Sequence, residues 1–171
     1  MRTIKFRGKR IDKNDEGKHD FVFGSHVVIG DKHFIFDFEN AWNVSLQWRT
    51  NQITVKDSFS FETKEPCIFE VIPETVGQFT GLLDKNGKEI YEGDKLKFVG
   101  GTCDIVPCGI YGSQHHKKGT ILCVQKLLSG YTLCLESQID RDAPNEVGKV
   151  DNYFFWNHAK SFEIIGNIHE K

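Results

Sequence analysis

Apolar side chains fall at every second position through most of this chain, the spacing of strands that bury one face, and the first 78 residues show no 3.6-residue helical repeat. Ile4 and Phe6 share one side of a predicted opening strand, Thr3–Arg7, and Asp12–Lys18 reads as a polar turn. Phe21–Ile29 and Lys32–Glu39 are predicted strands joined at Gly30-Asp31, with Gly30 supplying the positive φ of a two-residue hairpin. Phe34, Phe36 and Phe38 then project to one face. The period of two returns at Val44, Leu46 and Trp48, at Ile53 and Val55, and at Phe59 and Phe61. Cys67–Ile72 is a last strand in this half, ended by Pro73, which cannot donate to a central ladder.

The clearest local signal lies at 79–94, FTGLLDKNGKEIYEGD, where two strand-like runs flank a turn. Asp84 suits the first position of a type I turn and Gly87 the left-handed fourth, with Asn86 tolerating the bridge region between them. Beyond it, Asp94–Val99, Gly119–Lys126, Gly130–Glu136, Tyr153–Trp156 and Phe162–Ile168 are five predicted strands, with a helical turn at Asn157–Lys160. Strand count and turn placement give a mainly β chain: an N-terminal antiparallel sheet region at 1–78 and an SH3-like small barrel at 79–171, docked through the hairpin at 79–96. Two long loops interrupt the pattern, Gly100–Lys118 and Ser137–Asn152, longer than most connections in compact domains.

The hairpin wording, together with Ile4-Lys5-Phe6-Arg7-Gly8, Pro73-Glu74-Thr75-Val76-Gly77-Gln78 and Ile164-Ile165-Gly166-Asn167-Ile168, resembles the YopX-like family of phage and prophage proteins. The resemblance implies a phage, prophage or mobile-element accessory protein and carries no activity with it. Gly81, Asp84, Asn86, Gly87, Gly93 and Asp94 are the residues it marks as a structural motif.

Composition narrows the function classes. The chain has 171 residues, 39% hydrophobic and 27% charged, with 14 Phe and 1 Met, which favours pleated surfaces. A net charge of −2 supplies no global field for nucleic acid or anionic membrane. The exception is local: residues 1–18 hold seven Lys or Arg against three acids, a pattern expected of a solvated strand and turn. No apolar run reaches membrane-spanning length and the N-terminus lacks a secretory apolar core, so a cytoplasmic protein without membrane partners is expected. Five cysteines without a regular framework agree with reduced thiols.

Cys103, Cys108, His115 and His116 form the one Cys and His cluster. Thiolate and imidazole suit zinc, but a four-residue gap and adjacent histidines fit a tetrahedral site poorly, so no metal or other cofactor is expected. Cys123 and Cys134 lie within apolar strands and read as small core residues. Asp84, Glu89, Glu92 and Asp94 surround the hairpin; alternation separates Glu89 and Tyr91 from Ile90 and Glu92, and turn and solvent-facing roles are expected. A calcium loop is excluded by Gly at the fourth position and Lys95 at the twelfth.

Lys95, Lys97, Lys117, Lys118 and Lys126 with Tyr111 and Tyr131 form a candidate nucleic-acid set, cations paired with stacking rings. Residues 79–171 nevertheless carry 11 Lys or Arg and 12 acids, a net of −1, where such surfaces usually show a basic excess. The expected function is therefore a non-enzymatic module that binds a protein partner or its own copies, with nucleic-acid binding as the alternative.

Overall fold

Alternation becomes antiparallel strand through most of the residues that can be described. The computed structural model describes the backbone of residues 4–37, 44–49, 52–57, 68–100, 105–108, 114–127, 130–135 and 152–170, and the side chains of 4–37, 68–100, 117–127, 130–135 and 155–170. The chain divides into two compact units, Lys5–Val76 and Gly77–Lys171 with Met1–Ile4.

In the first unit, β1 (Phe6–Lys9), β2 (Phe21–Ile29), β3 (Lys32–Phe36), β4 (Val44–Arg49), β5 (Gln52–Asp57) and β6 (Ile68–Val71) precede a 3-10 turn at Pro73–Thr75. Strands β6, β3, β2 and β1 are neighbours in that order, and β4 and β5 form a separate hairpin. Gly30 has φ 63° in the β2–β3 connection, as its turn requires. The opening strand runs past the predicted end at Arg7, because the ladder with β2 extends to Lys9 opposite Phe21. Beyond Lys9 the chain reaches the free side of β6: Arg10 bridges Val71, Ile72 N donates to Lys9 O at 2.9 Å, and Ile11 N donates to Glu70 O at 3.0 Å. These contacts bring the four strands nearly full circle around Ile35 and Val71, both buried. Thr75 locks the closure, its hydroxyl accepting from Lys9 N at 2.8 Å and donating to Ile72 O at 2.7 Å. Gly24 is required where β2 passes β3, since a Cβ there would lie 1.9 Å from Phe36 O.

The second unit contains β7 (Gly77–Leu83), β8 (Glu89–Tyr91), β9 (Asp94–Phe98), β10 (Ile105–Cys108), β11 (Gln114–Lys117), β12 (Ile121–Leu127), β13 (Gly130–Cys134), α1 (Asn152–His158), a 3-10 turn at Ala159–Ser161 and β14 (Phe162–Asn167). Its central sheet has the order β13-β12-β9-β14. Leu96, Phe98, Leu122, Val124, Tyr131 and Leu133 of that sheet bury their side chains with Ile90, Phe155, Ala159 and Phe162.

Three expectations are corrected here. Tyr153–Trp156 lies in α1 rather than in a strand: Phe155 and Ala159, one helical turn apart, are buried while Trp156 and Asn157 are exposed. Aromatic β-propensity yields to packing on the core. Without that strand the sheet remains open among the described residues, so no closed SH3-like barrel forms; the mainly β, antiparallel class is as expected. The long loop Gly100–Lys118 contains the β10–β11 hairpin, with Val106 opposite His116. No helix among the described residues is long and apolar enough to cross a membrane.

Candidate functional site: the β7–β8 clasp and its cleft

The turn of the β7–β8 hairpin is organised by one carboxylate. Asp84 Oδ1 accepts from Asn86 N at 2.8 Å and Lys88 N at 2.9 Å, while Gly87, at φ 79°, donates its N–H to Asp84 O at 3.1 Å. The type I start and left-handed glycine predicted from sequence are thus in place. Asp84 is only 1% exposed, so the expected solvent-facing role is corrected. Its second oxygen explains the burial: Oδ2 accepts from Ile164 N of β14 at 3.1 Å, and Lys85 N donates to Phe162 O at 2.9 Å. The turn therefore occupies the side of β14 not paired with β9, satisfying backbone groups of an otherwise open edge. Lys85 Nζ adds an ion pair with Glu163 at 2.8 Å. Hydrogen bonding to Lys85, outweighing a small desolvation cost, lowers the Glu163 carboxyl below its ordinary value.

Asp94 is also buried, contrary to expectation, and Oδ2 accepts from Tyr91 N at 2.8 Å across the turn that leads into β9. Gly93, at φ 81°, sits where a type II turn needs positive φ. Tyr91 and Glu89 share a face as predicted, joined by a 2.6 Å hydrogen bond from the phenol to the carboxylate. Glu92 lies apart from them. Burial lifts its carboxyl above the ordinary value, against hydrogen bonding at Gln78 and the attraction of Lys126. The four acids are separated by their roles and form no common pocket.

Strand β7 departs from a regular ladder in the middle. Phe79 pairs with Tyr91 and Leu83 with Glu89, so β7 carries extra residues between the two pairs. Gly81 takes φ 86° there, and the Thr80 hydroxyl bridges the gap by donating to Ile90 O at 2.8 Å and accepting from Leu82 N at 3.2 Å. A bulge of this kind redirects side chains. Gly81, Leu82 and Leu83 here form one wall of a cleft of about 630 Å³, and Trp156 to Ser161 form the other. Leu83 is 43% and Trp156 38% exposed, and His158 and Lys160 add cationic or titratable groups. None of the nine lining residues is acidic. Gly81 inside an apolar strand run is the sequence signal for this cleft, whereas the aromatic run Tyr153–Trp156 satisfies strand propensity and conceals the helical wall.

The other sequence candidates are dispersed. Tyr131 is 3% exposed within the core and offers no face to a base. Lys126 Nζ donates to Gln78 Oε1 at 3.0 Å, and Lys97 lies opposite Glu163. Lys117 and Lys118 are exposed and Lys95 is half-buried. Tyr111 and Cys103 lie outside the described residues, as do the side chains of Cys108, His115 and His116. Among the described residues no group of three or more potential ligands converges on a metal position. Cys123 and Cys134 are buried thiols directly opposite one another in β12 and β13, and Cys134 Sγ donates to Cys123 O at 3.7 Å.

Comparison with known proteins places these features in a family. No curated protein matches the chain. Among solved structures, the chain is similar to the crystal structure of protein EF1440 from Enterococcus faecalis at 18% identity and TM-score 0.36, over 98% of this chain and 94% of that one. The family comparison matches residues 31–171 to the YopX protein family. That span exceeds half of the chain and includes the whole β7–β8 clasp, and the protein therefore belongs to the YopX family.

Proposed function

We propose that this protein is a cytoplasmic phage or prophage accessory module that binds a partner protein through the β7–α1 cleft and performs no catalysis itself. The observation that carries the reading is the exposure of Leu83 and Trp156 on opposing walls of that cleft. Large apolar side chains left in a concave, partly polar site gain free energy when a partner covers them. His158 and Lys160, with no lining carboxylate, favour a peptide that combines a bulky apolar residue with neighbouring acids. The acids of the hairpin support the same reading from another side, since Asp84 and Asp94 are engaged in holding turns.

Selection of a displayed random peptide library on the intact protein tests this. The expected result is an enriched apolar and acidic consensus whose binding is lost in Leu83→Asp and weakened in Trp156→Ala, both variants melting as the parent does. Absence of a consensus, or equal binding by the variants, overturns the proposal. Light scattering across concentrations separates the case in which a second copy fills the cleft, expected as a mass increase abolished by Leu83→Asp.

A further inference from the structure

We infer that His26 and His33 form a chelating site on the β2–β3 ladder for a divalent transition cation that accepts adjacent nitrogen ligands, nickel(II) or copper(II). The placement begins in the sequence. Even positions of β2 and odd positions of β3 share a face, because His26 stands opposite Ile35 and Val28 opposite His33. The two histidines are diagonal neighbours, two residues out of step, on strands held in register by the tight Gly30-Asp31 turn. Side chains of this length meet across such a diagonal. His26 Nε2 and His33 Nδ1 lie 3.0 Å apart, and the ring centres 5.0 Å apart.

The nitrogen spacing selects the cation. In neutral rings one facing nitrogen carries a proton and the other accepts it, so the pair shares one hydrogen bond. When the donor ring takes its other tautomer, the proton moves to its far nitrogen and both facing nitrogens present lone pairs that one cation can satisfy. Metal–imidazole bonds of roughly 2.0–2.1 Å to nitrogens 3.0 Å apart enclose an angle of roughly 91–97°. That is the angle between adjacent ligands in the square-planar or octahedral arrangements that copper(II) and nickel(II) favour. A tetrahedral zinc would need the nitrogens roughly 3.3–3.4 Å apart. Each ring must turn to aim at the cation, a motion about χ2, whose minima are broad. The surroundings suit a site that loads from solvent. On the same face Ile35 and Val71, opposite His26 and His33, are buried, and the Phe6 ring centre lies 5.4 Å from that of His26, so an apolar floor restricts the rings. Val28 on this face is 51% exposed and both histidines are half-buried, which leaves an entry path. No third ligand converges among the described residues, so water or a small donor molecule completes the coordination and the metal exchanges readily.

Calorimetric titration of the intact chain with nickel(II), and with zinc(II) and magnesium(II) in parallel, tests the inference; nickel(II) is the probe because, unlike copper(II), it does not oxidise thiols. Nickel should bind at this pair, zinc more weakly and magnesium not at all. His26→Gln and His33→Gln should each weaken nickel binding about tenfold or more, while the double variant His115→Gln, His116→Gln retains it. A cation that bridges two strands of the folded chain also stabilises it, so nickel should raise the melting temperature of the parent and leave that of either His26→Gln or His33→Gln unchanged. The paramagnetic ion supplies a readout that needs no variant: in NMR spectra of the parent it should broaden the ring signals of His26 and His33 at lower concentration than those of the other histidines. Absence of binding at about 1 mM nickel overturns the inference, as does tighter binding of zinc than of nickel. So does earlier broadening of other histidines, or parental affinity in both His26→Gln and His33→Gln while their melting curves without metal match the parent.

Discussion

Replacing Asp84 by alanine removes the acceptor for three backbone donors, the N–H groups of Asn86, Lys88 and Ile164. A hydrogen bond to a charged group contributes about 1.5–3 kcal/mol, and a simple sum over three would exceed the real loss because such terms are not additive. Asn86 and Lys88 are exposed, so water recovers part of their donor capacity, while Ile164 N faces the buried carboxylate. The expected cost is about 3–4 kcal/mol for Asp84→Ala, with a fall in melting temperature of about 10 °C. Asp84→Asn is the sharper variant. It retains one oxygen for Asn86 and Lys88 but sets an amide donor against Ile164 N–H, for a loss of about 1.5–2.5 kcal/mol. Thermal and urea unfolding give the two magnitudes, and hydrogen exchange reports where the fold loosens. Faster exchange is expected at Ile164 and Lys85, the two amides by which the turn and β14 are joined. Losses below about 0.5 kcal/mol in both variants, or unchanged exchange at these amides, would refute the clasp.

The remaining predictions concern pH and close packing. Burial first, and the nearby His33 second, lower the His26 pKa below its ordinary 6.5. The folded state therefore resists protonation: stability is fully present above 6.5 and declines as pH falls from 6.5 through the lowered value, a slope that His26→Gln should flatten in melts across that range. For Glu92, raised mainly by burial, the sign is opposite. Stability is highest below 4.5 and is lost as pH rises through the raised value, so Glu92→Gln should gain more over the parent at pH 8 than at pH 4. Gly24→Ala would set a methyl 1.9 Å from Phe36 O, and chemical denaturation should record a loss of about 2–3 kcal/mol.

The turns were the most legible part of the sequence, because their chemistry is written in adjacent residues. Gly30, Gly87 and Gly93 each take the positive φ their turn requires. Strands with a period of two were recovered at β2 to the residue, and elsewhere with shifts of one to three at the ends. Closure was less visible. The bonds that draw Lys9, Arg10 and Ile11 to β6 are between backbone groups about 60 residues apart, and no side-chain pattern announces them. Helix α1 was concealed for a different reason: its aromatic run satisfies strand propensity locally, and only the burial of Phe155 and Ala159 against Phe162 decides for helix.

Burial of Asp84 shows why residue type alone gave the right role and the wrong environment. Aspartate suits the first position of a turn because its carboxylate accepts from backbone N–H groups two and four residues on, and the local turn uses only one of its oxygens. The other oxygen was open to any donor the fold brought near. It received the N–H of Ile164, 80 residues away, on a strand edge that lacks a neighbouring strand at that point. A backbone carbonyl would do the same in a regular sheet, so the carboxylate substitutes for a missing strand. This arrangement frees β7 from having to pair along its whole length, and the bulge at Gly81 can then turn Leu82 and Leu83 toward the cleft. Structural motif and candidate site are in this sense one device: the same hairpin that seals the edge of β14 sets the wall that a partner would touch.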